Sequence, residues 1–220
     1  MKALGPIHLI CRDGKGSRRV PIGIIRKNAT EGIRFNYNKQ IIDDITQHSF
    51  IPYEAFPDLK KTYDQNVLDV FGQRLMRSER NDVQDFYKFW HLDSSLKDDK
   101  YYMLAMTQGL LPTDNYEFLV DFNPVKDLVF ISEVTGLSHS KVSGDALKQG
   151  DRLRYELEPG NPFDKYAVKF YKDDLFLGYM KTIHNRVFYK TKYPLHVSVH
   201  GIEKNGILNR VFIKVSSHQS

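Results

Sequence analysis

The chain has 220 residues, 41% hydrophobic and 13% aromatic, with a formal net charge of +5; that is enough apolar material for one large core or two small ones. It has no run of 18 apolar residues, no apolar leader after Met1, and one cysteine, Cys11. A membrane-spanning helix and an internal disulfide scaffold are therefore excluded, and a reducing cytoplasm is the expected location.

In chain order, Leu9-Ile10, Val20–Ile25 and Ile33–Tyr37 read as three short strands. Asp13–Gly16 and Asn28–Gly32 supply the turns between them. A polar connector with Pro52 and Pro57 follows. Asn66–Met76 places Val67, Val70, Phe71 and Leu75 on one helical face. Asp82–His91 does the same with Val83, Phe86, Phe89 and Trp90, and Lys100–Thr107 with Tyr101, Leu104 and Ala105. Gly109 and Pro112 end the last helix. A linker is expected near Asp121–Pro124.

Beyond it the pattern is β. Val129–Ile131, Arg152–Leu157, Ala167–Tyr171, Leu175–Tyr179, Leu195–His200 and Val211–Val215 read as strands. Asp173-Asp174 and Lys204–Gly206 make hairpins, and Lys141–Gln149 and Thr182–Tyr189 read as short helices. Many short strands with turns predict a small barrel. The charge is uneven. Residues 1–124 carry 17 Lys/Arg and 17 Asp/Glu, whereas residues 125–220 carry 15 and 10. A basic face suits a polyanion partner.

No catalytic set emerges. Gly14–Ser17 lacks the spacing of a phosphate loop and reads as a tight hairpin. His196 and His200 share a strand face, but four strand residues separate them by about 13 Å, too far to share a zinc ion. Cys11 has no thiol partner, and no carboxylates pair for acid–base work. No catalytic residue, metal ligand or cofactor is expected, so the chain reads as non-enzymatic.

The most informative stretch is Glu158-Pro159-Gly160-Asn161-Pro162-Phe163-Asp164-Lys165-Tyr166-Ala167-Val168. Asn, Pro and Gly serve a turn. Phe163 is not needed there. Either it tucks into the core at a hairpin corner, or it presents an aromatic platform beside a carboxylate acceptor. Single-strand binders combine such platforms with basic residues that follow the backbone.

With Val134–Leu137 before it and Leu177-Gly178-Tyr179 after it, this stretch resembles a HIRAN domain over roughly Val129–Val215. The resemblance implies an OB-like small barrel that binds single-stranded DNA or a 3′ end. Phe163 would stack a base, Asp164 would accept from the terminal hydroxyl, and Asn161 would hold the turn. Tyr179, Lys181 and Thr182 would lie along the backbone path. DNA-binding members place a basic residue and a tyrosine after V-x-G-L; this chain has Ser138 and His139. His139 can still stack, and Arg154, Lys169, Arg186, Lys190 and Lys192 are candidates to replace the lost charge.

The first half resembles the small N-terminal subdomain of the HipA kinase family. That resemblance rests on Ile22–Ile25, Arg34–Tyr37, Val70–Arg80 and Gly109–Leu119. It implies an α+β domain, a small antiparallel sheet plus helices, that contacts a HipA-like kinase or an antitoxin subunit. The expected organisation is thus a protein-contact domain over 1–122 and a mainly-β, DNA-binding barrel with one or two short helices over 123–220. The rival reading is a regulator of a separate HipA-type kinase, without DNA-end binding.

Overall fold

The computed structural model describes residues 2–12, 18–41, 52–77, 79–111, 114–140 and 142–218. The expected turn at Asp13–Gly16, the Gly14–Ser17 stretch and Pro112 lie outside them. The chain forms two compact units, Ala3–Asp121 and Phe122–Ser220, with Lys2 joined to the second. Asn123 Nδ2 donates to the Lys2 carbonyl at 3.0 Å.

The first unit carries β1 (Leu4–Cys11), β2 (Val20–Asn28), β3 (Gly32–Tyr37), α1 (Val67–Gly72), α2 (Val83–Phe89), α3 (Lys100–Thr107) and β4 (Tyr116–Phe122). The strands form one sheet in the order β3-β2-β1-β4. Register pairs Ile7 with Ile25 and Ile25 with Phe35. That row faces inward and is fully buried. Phe35 then meets Phe56 and Phe71, each at 5.2 Å between ring centres, and Phe71 meets Phe118 at 4.9 Å. Such ring pairs add about 0.5–1.5 kcal/mol each beyond area burial.

Three expectations for this unit need correction. Strand β4 was not expected; Glu117–Val120 are all buried and show no alternation. Asp121 and Phe122 are its last residues rather than linker. Helix α1 stops at Gly72 instead of Met76. The chain turns there so that Arg74 points inward, where its Nε donates to the Gly109 carbonyl at 2.8 Å and its Nη2 to the Tyr116 carbonyl at 3.0 Å. Both Nη atoms also pair with the Asp114 carboxylate. Helix α2 buries Val83, Tyr87 and Trp90, leaving Phe86 and Phe89 half-buried.

The second unit carries β5 (Val129–Thr135), α4 (Leu137–Ser140), β6 (Arg152–Glu158), β7 (Ala167–Lys172), β8 (Leu175–Met180), α5 (Arg186–Lys190), β9 (His196–Asn205) and β10 (Ile207–Ser216). The six strands close an antiparallel barrel in the order β10-β5-β8-β7-β6-β9. Closure leaves no free sheet edge. Its interior is filled by Val168, Phe170, Leu177, Val199, Val211, Ile213 and Val215, all buried.

One seam sets a tight constraint. β5 and β8 pair only at Val134↔Met180 and Thr135↔Tyr179. A Cβ on Gly178 would lie 2.2 Å from the Thr135 carbonyl oxygen, so the glycine of L-G-Y is there for backbone approach. The helix expected over Lys141–Gln149 is absent from its described residues, 142–149. Gly144 donates instead to the Gly206 carbonyl at 3.0 Å, and Leu208 to the Val142 carbonyl at 3.0 Å. Pairing with the β9–β10 hairpin has replaced local helix bonds. No helix among the described residues is long and apolar enough to cross a membrane.

Candidate nucleic-acid interface

The β6–β7 connection consists of two consecutive turns, each braced by a side chain. In the first, Asn161 N donates to the Glu158 carbonyl at 3.1 Å. Asn161 Oδ1 then accepts from Phe163 N at 2.9 Å and Asp164 N at 3.1 Å, while its Nδ2 donates to Glu158 Oε2 at 2.7 Å. Only a short carboxamide can both accept twice and donate from this position. In the second turn, Ala167 N donates to the Asp164 carbonyl at 2.9 Å, and Asp164 Oδ1 accepts from Tyr166 N at 2.9 Å.

Phe163 stands 78% exposed at the apex. Of the two positions open to it, core or surface, it takes the surface. Asp164 is half-buried beside it. Its Oδ2 accepts from Asn185 Nδ2 at 2.8 Å. A carboxylate offers about four acceptor positions, so these two side-chain bonds leave it able to accept from an incoming donor.

Glu158 ties the turn to the barrel wall. Lys169 Nζ lies 2.5 Å from its Oε1. The hydrogen bonds from Lys169 and then Asn161 hold the Glu158 carboxyl below the usual glutamate range. Burial, followed by the Glu158 charge, pushes the Tyr179 hydroxyl up. Tyr179, on the barrel wall opposite Lys169, thus feels the charge of the carboxylate that braces the turn.

Other expected residues fall elsewhere. Arg154 lies about 13 Å along β6 from Glu158, with its guanidinium 4.2 Å from the Tyr171 ring centre. It belongs to an outer stripe, Tyr171–Phe176–Tyr179, with ring centres 5.6 and 5.5 Å apart. Thr182 is half-buried, and its carbonyl accepts from His184 N at 2.9 Å. Lys181 is corrected: it is 1% exposed, with Nζ 3.2 Å from Glu133 Oε2. The strand ends at Met180, so Lys181 folds in toward Glu133 instead of alternating outward. The backbone of His139 belongs to α4, but its side chain, like that of Ser138, lies outside the described residues.

Several neighbours of the turn had no role assigned from sequence, apart from Arg186 as a candidate charge. Tyr166 and Tyr189 meet edge-on at 5.5 Å, and Tyr189 Oη donates to the Ala167 carbonyl at 2.8 Å. Lys165 Nζ and the Arg186 guanidinium lie 5.1 and 5.9 Å from the Tyr166 ring centre. The interleaving of aromatic and basic residues in 163–166 and 186–190 was the available signal. Asn185 was also missed, because it falls inside the helix expected over Thr182–Tyr189, which starts only at Arg186. It is 1% exposed, makes no capping bond, and leaves its Oδ1 without a hydrogen-bond partner. Such a buried orphan costs about 1–3 kcal/mol. Among the described residues no group of three or more His, Cys, Asp or Glu is placed to hold a metal ion.

No protein-family profile matches the chain, and no curated protein matches it. Among solved structures, it is similar to the HIRAN domain of human HLTF, with 16% identity over 40% of this chain and 74% of that one and a TM-score of 0.31. That likeness is slight.

Proposed function

We propose that the second unit binds DNA, single-stranded or at a 3′ end, at the Asn161–Asp164 turn, and that the chain has no catalytic activity of its own. The observation that carries this reading is Phe163, exposed on a backbone that Asn161 holds in place, with the Asp164 carboxylate next to it. The resemblance of the surrounding motif to HIRAN domains supports it.

A terminal base stacks on Phe163, and the terminal hydroxyl donates to Asp164. A carboxylate repels phosphate, so this arrangement favours a strand end over a strand middle. Lys165 and Arg186 beside the turn, with Lys190 and Lys192 at the end of α5, supply positive charge toward the preceding phosphates. Tyr179 extends the platform along the barrel wall. The first unit serves protein contact, with a HipA-like kinase or an antitoxin subunit as the partner that its resemblance implies. The whole is an accessory or regulatory protein.

The test is fluorescence anisotropy with a labelled single strand ending in a 3′ hydroxyl or a 3′ phosphate. Binding is expected to weaken steeply between about 50 and 200 mM salt. The hydroxyl end should bind more tightly, and Phe163→Ala should cost about 1–3 kcal/mol. Equal affinity of the wild type for both ends refutes end recognition.

A further inference from the structure

We propose that Asn185 is the positioning residue that sets end specificity at this site. It does so by locking the plane of the Asp164 carboxylate. The proposal rests on the reading that the Asn161–Asp164 turn binds a strand end.

The last bond of an Asp side chain rotates in a broad well. One anchor leaves the carboxylate free to swing; two anchors on different oxygens fix its plane. Asp164 has two, Tyr166 N on Oδ1 and Asn185 Nδ2 on Oδ2. The first comes from its own turn. The second comes from 21 residues away and is therefore a tertiary device.

Three local features accompany that second anchor. The Asn185 side chain occupies an N-cap position yet makes no capping bond. Its Oδ1 is buried with no hydrogen-bond partner. Two residues earlier, Ile183 holds φ at 71°, a left-handed conformation that a β-branched residue rarely adopts. The amide is thus committed to Asp164: its Nδ2 donates there, and neither a capping bond nor a bond to Oδ1 competes for it.

The choice of an amide has its own consequence. A Lys or Arg in this place would anchor the carboxylate equally well but neutralise it. Asn leaves the full charge, so the carboxylate still accepts from a hydroxyl and still repels a phosphate. Asn185 is too buried to touch the strand, so it acts through Asp164.

The test uses the full chain and two single strands, one ending in a 3′ hydroxyl and one in a 2′,3′-dideoxy sugar. They differ by one hydrogen-bond donor and no charge. Wild type should prefer the hydroxyl about tenfold or more, the usual effect of one hydrogen bond to a charged group. Asn185→Leu should reduce that preference to within about twofold while leaving affinity for the dideoxy strand unchanged. Asn185→Asp should keep the preference while the buried pair shares one proton, so that one carboxyl still donates to the other. It should lose the preference as rising pH removes that proton and the two carboxylates repel. Wild type measured over the same pH range supplies the control.

If wild type shows no hydroxyl preference, the end-binding reading falls and this proposal with it. A wild-type preference that survives in Asn185→Leu overturns the role of Asn185 alone. So does an equal loss for both strands, which marks a merely structural residue. If Asn185→Leu does not fold, Asn185→Asp decides: a preference that does not fall with rising pH, or that falls equally in wild type, overturns the role.

Discussion

Replacing Asn161 with alanine removes three hydrogen bonds at once: acceptance from Phe163 N and Asp164 N, and donation to Glu158. Each is worth about 0.5–1.5 kcal/mol net, toward the low end where water can replace the lost partner. Phe163 is exposed and Asp164 half-buried, so the total is about 2 kcal/mol. That energy is local, because the turn projects from the barrel. It raises the open population of the turn by about tenfold or more. Amide hydrogen exchange at Phe163 and Asp164 should quicken by that factor, while exchange in β7 and β8 stays unchanged. Affinity for single-stranded DNA should fall by up to the same factor, since binding must then order the turn. Asn161→Asp retains the two acceptors but loses the donor and faces Glu158, so its exchange should lie between the two. Unchanged exchange at Phe163 and Asp164 in Asn161→Ala, or Asn161→Asp as loose as alanine, would refute the assignment.

Gly178→Ala should destabilise the barrel by about 3 kcal/mol, read from a urea midpoint, because its Cβ would meet the Thr135 carbonyl oxygen at 2.2 Å. Arg74→Met should cost the first unit about 3 kcal/mol by the same measurement, since two carbonyls and the Asp114 carboxylate lose their partner. Glu158 predicts a pH dependence. Its folded pKa is depressed by Lys169 and Asn161, so its contribution is present above the unfolded value of about 4.3 and is lost as pH falls through the lower folded value. Turn-amide protection, followed by NMR, should be flat from neutral to about pH 5 and decline only below about pH 4; an earlier decline contradicts the bonding seen at Glu158.

Much of the barrel is local information. Its six strands alternate or run apolar between turn residues, and Asp173 and Gly206 adopt the positive φ that their hairpins need. The N-P-F-D turn is legible for the same reason: Asn161 acts on residues two and three places away. What escaped depends on distant partners. β4 carries no alternation because both its faces are covered, and even Glu117 is buried against Arg19. The segment after α4 pairs with a hairpin some sixty residues later, as Lys204 to Asp145 at 2.7 Å illustrates. Lys181 looks like a surface cation until Glu133, from another strand, folds it inward. Asn185 looks like a helical residue until Asp164 takes its amide. Local turn and strand preferences act over a few residues and can be read along the chain. The direction of a polar side chain is set by whichever charge or carbonyl the closed barrel brings beside it, and only the tertiary structure decides that.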